Sequence, residues 1–204
     1  EDAEPGYRSA ASSSLSEHWT ASAAAQSWTS VPRPLSGGAL EPVVVNDRVL
    51  YAQEFERFAV AAEVVVVDAS TLEKVGPAVP ELTFGLVEPL PVTSASRSGG
   101  LFAVGKQVLD GRLDDPDPRG ILVVLDAETG VEVARVNRPA PVTALEFADE
   151  RGAVLAGAGD GTIVVVDAAS GAVLDEMSMD DPDDVIALGT RPDGVVVAVS
   201  PRSI

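Results

Sequence analysis

The amino-acid sequence predicts an all-β protein built from short antiparallel strands. Valine dominates its apolar runs, as in Val64–Val67 and Val195–Val197, while aromatic residues make up 4% of the chain. β-Branched side chains restrict χ1 and fit a pleated surface better than a helix. The runs are short and are bounded by Gly, Pro, Asp and Ser, which is typical of strands joined by tight turns.

Three segments repeat one pattern, in which an apolar run is followed by Asp-Ala and then by Ser or Thr. The aspartates are Asp68, Asp126 and Asp167, which are 58 and 41 residues apart. A carboxylate and a hydroxyl this close together can accept and donate hydrogen bonds to nearby backbone groups and hold a tight turn. Because they recur at equivalent places, we interpret these three aspartates as structural turn residues.

The segment before each turn also repeats. Strands open at Pro91-Val92-Thr93 and Pro141-Val142-Thr143, a polar turn follows, and second strands begin at Leu101–Val104 and Ala153–Ala156. Each unit therefore holds four short antiparallel strands in about 40 residues, which is the pattern of a β-propeller blade. One such sheet cannot bury both faces alone, so we expect neighbouring sheets to stack around an axis.

The predicted organisation is a flexible or partly docked leader over residues 1–37, followed by β-propeller blades over residues 38–204. The blades cover about residues 41–80, 81–137, 138–179 and 180–204, and the last is partial. This gives about 3.5 blades, whereas closed propellers have 4–8. A partial propeller that is a fragment of a longer one is the interpretation we favour, and completion of the last blade by the leader or by a partner chain stays open.

The leader has a different composition from the rest of the chain. Ser, Ala and Thr fill Ala10–Ser30, and both tryptophans and the single histidine, His18, lie there. We expect a short helix around Leu15–Gln26 or an outer strand near Trp28.

Two repeat families resemble the units. Residues 159–171 resemble the end of a WD40 repeat, and Leu125–Gly130 resembles the strand end of bacterial quinoprotein (PQQ)-like repeats. The resemblance implies a β-propeller. The residue before each repeated aspartate is Val67, Leu125 or Val166 instead of Trp, and no histidine follows His18. The histidine network of WD40 repeats and the ligands of a quinone site have no counterparts, so no cofactor is expected.

The formal net charge is −18, with 32 acidic and 14 basic side chains. Such a surface repels phosphate backbones and anionic lipid headgroups, so nucleic acid and membrane surfaces are poor partners. No run of about 18 apolar residues is present, so no membrane-spanning segment is expected. A protein with a basic patch is the partner that this charge favours. Two lysines against twelve arginines indicate a bacterial origin, and the composition fits a cytoplasmic and an extracytoplasmic location equally.

The inventory of reactive side chains predicts no catalytic site. Cysteine is absent, and the single histidine lies in the leader. Thiol chemistry, thiolate metal sites and a Ser-His-Asp group with a nearby histidine are therefore excluded. The glycine-rich stretch Gly157–Gly161 lies between two strands, so we interpret it as a β-turn and not as a phosphate-binding loop.

The insertion between Val108 and Arg119 is the candidate protein-interaction site. It carries four acidic and two basic residues, and the candidate contacts among them are Asp110, Asp114, Asp115, Asp117 and Arg119. Loops on a rigid scaffold are where partners commonly bind. A solvated surface extension is the alternative, and calcium binding here or at Asp180–Asp184 is disfavoured because neither cluster has EF-hand spacing.

These observations predict a non-catalytic interaction scaffold built on β-propeller blades. The alternative is a ligand- or cation-binding sensor or accessory domain of an exported bacterial protein. A hydrolase that uses a pair of carboxylates is a third hypothesis, because such pairs are defined by their spatial separation.

Overall fold

The computed structural model is all-β and describes residues 19–21, 26–28, 42–54, 61–85, 91–96, 100–108, 118–179, 184–191 and 195–201. The strands in chain order are β1 (Trp19–Ala21), β2 (Gln26–Trp28), β3 (Val43–Val45), β4 (Arg48–Glu54), β5 (Ala61–Asp68), β6 (Lys74–Val75), β7 (Thr83–Gly85), β8 (Val92–Ala95), β9 (Leu101–Val108), β10 (Arg119–Asp126), β11 (Glu132–Arg138), β12 (Val142–Ala148), β13 (Ala153–Ala158), β14 (Thr162–Asp167), β15 (Val173–Ser178), β16 (Ala187–Thr190) and β17 (Val196–Val199). Short 3-10 helices cover Pro80–Leu82 and Asp149–Arg151. No helix in these ranges is long and apolar enough to cross a bilayer.

The strands form antiparallel sheets in which neighbours in sequence are neighbours in space. Sheet 1 has the order β3-β4-β5-β6, and β7 pairs with the first residues of β5. Sheet 2 (β8-β9-β10-β11) and sheet 3 (β12-β13-β14-β15) have four strands each, and sheet 4 consists of β16 and β17. The prediction of an all-β chain with four-stranded antiparallel sheets is confirmed.

The predicted helix around Leu15–Gln26 is wrong for the described residues of that segment. β1 and β2 form an antiparallel hairpin in which Trp19 lies opposite Trp28. Trp and Thr favour extended pairing, and an isolated helix of about three turns is marginal in water. A strand is present at Trp28 as the alternative expects, but among the described residues it pairs only with β1 and is not an outer strand of one of the larger sheets.

The third strands of sheets 2 and 3 are buried on both faces. In β10, Ile121, Val123 and Leu125 pack toward sheet 1, while Leu122 and Val124 pack toward sheet 3. Both faces of the strand are therefore covered by neighbouring sheets. This explains why its apolar run is continuous, whereas a strand with one buried face alternates apolar and polar residues. Each fully buried Val or Leu contributes about 1.5–3 kcal/mol of hydrophobic stabilisation.

Successive sheets pack through a small residue on one sheet and a valine on the next. A Cβ added to Gly105 of β9 would overlap the side chain of Val142, which opens sheet 3. In the same way, a Cβ on Gly157 of β13 would lie 2.5 Å from Cγ1 of Val185, just before β16. The first strands are also in contact in series, with β3 against β8, β8 against β12 and β12 against β16.

Candidate functional site

The three repeated aspartates close the same turn. The Oδ1 atom of Asp126 accepts hydrogen bonds from the backbone N–H and the hydroxyl of Thr129, at 2.8 and 2.7 Å. Asp167 accepts the same two bonds from Ser170, at 2.8 and 2.6 Å. The turn then ends at a residue with positive φ, which is Gly130 or Gly171.

The turn at Asp68 differs in the position of the hydroxyl donor, in an added ion pair and in the residue with positive φ. Its Oδ1 accepts bonds from the N–H and hydroxyl of Ser70 and from the N–H of Thr71, while its Oδ2 pairs with Arg48 at 2.5 Å. The residue with positive φ is Leu72, at 59°, a conformation that is costly for a residue with a Cβ.

The turn hydrogen bonds favour the ionised form of each carboxylate. The hydroxyl of Ser70 and the N–H groups of Thr71 and Ser70, with the charge of Arg48, hold the pKa of Asp68 far below its usual value. The hydroxyl and N–H of Thr129 lower the pKa of Asp126, and those of Ser170 lower the pKa of Asp167. The largest cause of each pKa shift is a hydrogen bond that closes the turn.

A depression of about 550 Å³ lies at the carboxyl ends of the first strands of the four sheets. Its walls come from β3, β8, β12 and β16 and from the turn after β12. The lining residues are Val43, Val44, Ser94, Ala95, Glu146, Phe147, Ala148, Asp149, Glu150, Arg151, Thr190 and Arg191. All four sheets therefore contribute to one concave surface.

The lining residues occupy equivalent positions of the repeat. In sheets 1 to 3 the second residue of the second strand pairs with Val44, Ala95 or Phe147. In sheet 4 the corresponding residue is Thr190. The backbone N–H of Arg191 donates to the carbonyl oxygen of Val195, just as the N–H of Ser96 donates to that of Leu101 in sheet 2, and Thr190 precedes Arg191 as Ala95 precedes Ser96. One residue earlier, the lining residues are Val43, Ser94 and Glu146, and the residue of sheet 4 in the same register is Gly189, which is not part of the lining. The backbone repeats at these positions, but the side-chain chemistry does not.

Charge is concentrated on one side of the depression. Glu146, Asp149, Glu150 and Arg151 belong to sheet 3 and the turn that follows β12, and Arg191 follows β16. Sheets 1 and 2 contribute only valine, serine and alanine there. The depression thus has an apolar and weakly polar half and a half with charges of both signs.

A hydrogen bond between sheets fixes one edge of the depression. The hydroxyl of Ser96, which is 2% exposed and follows β8, donates to Oδ1 of Asp149 in the turn after β12. Because Ser96 is buried, this bond replaces hydration that the hydroxyl has lost. It ties sheet 2 to the charged part of sheet 3.

Of the interaction residues expected from the sequence, the structure describes only Arg119, which lies away from this depression. Arg119 begins β10 and lies opposite Val108 at one end of the β9–β10 pairing, and Leu101 lies opposite Asp126 at the other end. The depression lies at the end with Leu101, because its lining residue Ala95 pairs with Phe102, the neighbour of Leu101. Asp110, Asp114, Asp115 and Asp117 lie outside the described residues.

The sequence analysis did not identify the lining residues. The signal that was available is that Ser94, Glu146 and Thr190 each stand a few residues before the polar turn of their unit. Among the described residues, no three His, Cys, Asp or Glu side chains are grouped so that they could hold a metal ion.

No family model matches this chain, and no curated protein matches it. Among solved structures, the crystal structure of the computationally designed Ika4 protein is similar, with a TM-score of 0.51 and 18% sequence identity. The similarity covers 83% of this chain and 95% of that chain. At this identity the likeness concerns the fold alone.

Proposed function

We propose that this chain is a non-catalytic protein-interaction scaffold whose sheets are blades of a β-propeller, and that a partner protein binds in the depression at the ends of the first strands. The observation that carries the proposal is the contrast between two sets of repeated positions. Asp68, Asp126 and Asp167 keep the same residue and close turns, whereas the lining positions change from sheet to sheet. Residues that vary on a repeated backbone can give each part of a surface its own chemistry.

The propeller arrangement is supported by the way in which the sheets stack. The first strands contact one another in series from β3 to β16, and the same glycine–valine packing joins sheet 2 to sheet 3 and sheet 3 to sheet 4. A ring of such sheets would bring the carboxyl ends of the first strands around one axis, which is where the depression lies.

A protein partner is favoured over a reaction for chemical reasons. The described depression has carboxylates and guanidinium groups, and the sequence has no cysteine and one histidine, His18. The net charge of −18 favours a partner with a basic surface. The acidic insertion with Asp110, Asp114, Asp115, Asp117 and Arg119 is proposed as a second contact.

Affinity purification from the native proteome, quantified by mass spectrometry, tests the proposal. Glu150→Lys changes an exposed lining residue, and Glu128→Lys makes the same charge change at an exposed turn outside the lining. We expect Glu150→Lys to reduce recovery of the specific partner at least tenfold, and Glu128→Lys to leave it nearly unchanged. Equal recovery with both variants, or no partner that responds to Glu150→Lys, would contradict the proposed site.

The insertion is tested in the same experiment. Replacement of Asp114, Asp115 and Asp117 by lysine should lower recovery and its sensitivity to salt if the insertion contacts a basic patch. Unchanged recovery with this triple variant removes the second contact and leaves the depression as the site.

The volume of the depression favours one further candidate, a sensor or accessory domain of an exported bacterial protein that binds a small ligand or a cation. Small-molecule sites commonly enclose about 300–1,000 Å³. A panel of metabolites and divalent cations, screened by the shift of the melting temperature, tests this candidate, and Glu150→Lys should abolish a shift that arises in the depression.

A further inference from the structure

The depression at the ends of the first strands offers one charged side chain that the described chain does not itself engage. Five charged residues line the depression. Four of them already have partners in the chain, and these are Glu146, Asp149, Arg151 and Arg191. The fifth, Glu150, is exposed in the short 3-10 helix after β12 and forms no hydrogen bond or ion pair among the residues that the structure describes. Its carboxylate is therefore the charge that this surface presents to a partner.

The charges around Glu150 favour a cation over an anion as its partner. Three carboxylates and two guanidinium groups line the depression, and the whole chain has a formal net charge of −18. The two arginines that could attract an anion, Arg151 and Arg191, already have partners. A cation that approaches Glu150 is therefore attracted by the field of the rest of the chain, whereas an anion is repelled.

The other half of the depression has an apolar surface that a partner can cover. Val44 of β3 is 37% exposed, and Ala95 of β8 is half-buried. Phe147, at the equivalent position of β12, is almost completely buried and cannot offer a comparable area. An aliphatic side chain placed on Val44 would remove apolar surface from water, which favours binding.

Two hydroxyl groups of the lining are also available to a partner. The side chains of Ser94 in β8 and Thr190 in β16 form no hydrogen bond among the described residues. A hydroxyl both donates and accepts, so these groups can bind the backbone of an extended segment. The first strands lie in the order β3, β8 and β12, so a segment that reaches from Val44 to Glu150 passes over Ser94.

We propose that the partner enters the depression with an extended segment in which a cationic side chain, lysine or arginine, is next to an aliphatic one. Successive side chains of an extended segment point to opposite sides, so the cation reaches Glu150 while the aliphatic group packs on Val44. The inference rests on the proposed function, because it names the chemistry of the partner at the same site. It assigns recognition to one carboxylate among the 32 acidic residues of the chain, and not to the net charge.

The probes are synthetic peptides with blocked ends and the sequence Gly-Val-Arg-Val-Gly, or the same sequence with Lys, Gln or Glu in place of Arg. NMR titration of the isotope-labelled full chain measures their binding. We expect saturable shifts of the Val44, Ser94 and Glu150 amides with the Arg and Lys peptides. Binding of the Gln peptide should be about threefold to tenfold weaker, because a partly exposed ion pair is lost.

Two variants of the protein assign the effect to one carboxylate. Glu150→Gln removes the charge at an exposed position and keeps the size of the side chain, and Glu128→Gln makes the same change at an exposed turn outside the lining. We expect Glu150→Gln to weaken binding of the Arg peptide about threefold to tenfold and to leave the Gln peptide unaffected, since the two changes remove the same interaction. Glu128→Gln should leave all the peptides within about twofold of the unmodified protein.

A charge exchange completes the test, because Glu150→Lys should bind the Glu peptide more tightly than the Arg peptide.

Lining shifts that do not depend on the charge of the peptide, or equal binding of the Arg peptide by Glu150→Gln, would overturn the inference and leave the depression as a partner site. Tighter binding of the Glu peptide than of the Arg peptide by the unmodified protein would indicate an anionic partner at Arg151 and Arg191 and would also overturn it. Absence of lining shifts with every peptide would do the same. The proposed function itself fails only if affinity purification finds no partner that responds to Glu150→Lys.

Discussion

Gly157 of β13 lies so close to Val185 that a Cβ on the glycine would be 2.5 Å from Cγ1 of the valine. Val185 is completely buried, and its N–H donates to Ala158 O at 3.2 Å. Because Gly157 has no side chain, sheet 3 leaves room for Val185, the first buried valine of sheet 4. Gly105 and Val142 repeat this contact one sheet earlier, so the same contact joins sheet 2 to sheet 3 and sheet 3 to sheet 4.

The first prediction concerns this contact. Gly157→Ala should lower the free energy of unfolding by about 1–3 kcal/mol, because the added methyl group overfills the junction between sheets 3 and 4. Gly189→Ala is the control: no atom lies within 4 Å of its added Cβ, so a change of at most about 0.5 kcal/mol is expected. Urea denaturation measures both.

A double-mutant cycle with Val185→Ala makes the test specific to the contact. If Gly157 and Val185 are coupled as the geometry indicates, Gly157→Ala should cost about 1 kcal/mol less in the Val185→Ala background. Additive effects would show that the two residues act independently and would contradict the described contact between sheets 3 and 4.

The second prediction separates backbone strain from a close contact. Gly130 and Gly152 have nearly the same φ, 66° and 61°, but only at Gly130 would a Cβ overlap another sheet, at the carbonyl group of Val75. Gly152→Ala should therefore lower the free energy of unfolding only by the penalty for a left-handed conformation, which is about 1–2 kcal/mol. Gly130→Ala should cost at least about 1 kcal/mol more. Thermal and urea unfolding measure the difference, and equal costs would contradict the described contact between sheets 1 and 2.

The third prediction concerns pH. Because folding lowers the pKa of Asp126, its carboxylate adds stability above the pKa of the unfolded chain, near pH 4, and this contribution disappears as the pH falls through the folded pKa. Asp126→Asn should therefore be more destabilising at pH 7 than at pH 3. Urea denaturation of both proteins at the two pH values measures this. A penalty that is constant or grows toward acid pH would contradict the role of the carboxylate in the turn.

The fourth prediction concerns the bond between Ser96 and Asp149. Ser96→Ala should lower the free energy of unfolding by about 1 kcal/mol, because it removes a buried hydrogen bond that joins sheets 2 and 3. Ser178→Ala, at an exposed position of β15, should have an effect within about 0.5 kcal/mol. Equal values in chemical denaturation would show that the bond adds no stability.

The turns and the strand content could be predicted from sequence because their signals are local. Asp126, Thr129 and Gly130 lie within five residues of one another, and each residue type has a defined part in the turn. The continuous apolar run of β10 likewise indicated a strand between two other layers. The confirmed part of the prediction, an all-β chain with four-stranded antiparallel sheets, depends only on such signals.

The depression could not be predicted because it depends on register and on contacts between sheets. Ser94 and Glu146 are 52 residues apart, and Glu146 and Thr190 are 44 residues apart. They come together only when the first strands of sheets 2, 3 and 4 lie side by side. A bulge in β12 between Val142 and Ala144 also shifts the register before Glu146, which a count along the sequence does not reveal. β7 was missed for a related reason, since it extends sheet 1 through pairing with the start of β5.

The most direct test of the account is a footprint of the depression in the presence of the purified partner. The chain has no cysteine, so single-cysteine variants at Ser94, Glu150 and Thr190 can be compared with one at Val133, an exposed residue of β11 outside the lining. The account predicts that the partner slows maleimide labelling at least tenfold at all three lining positions and leaves labelling at Val133 unchanged. Unchanged labelling at the lining positions, or protection of Val133 alone, would contradict it.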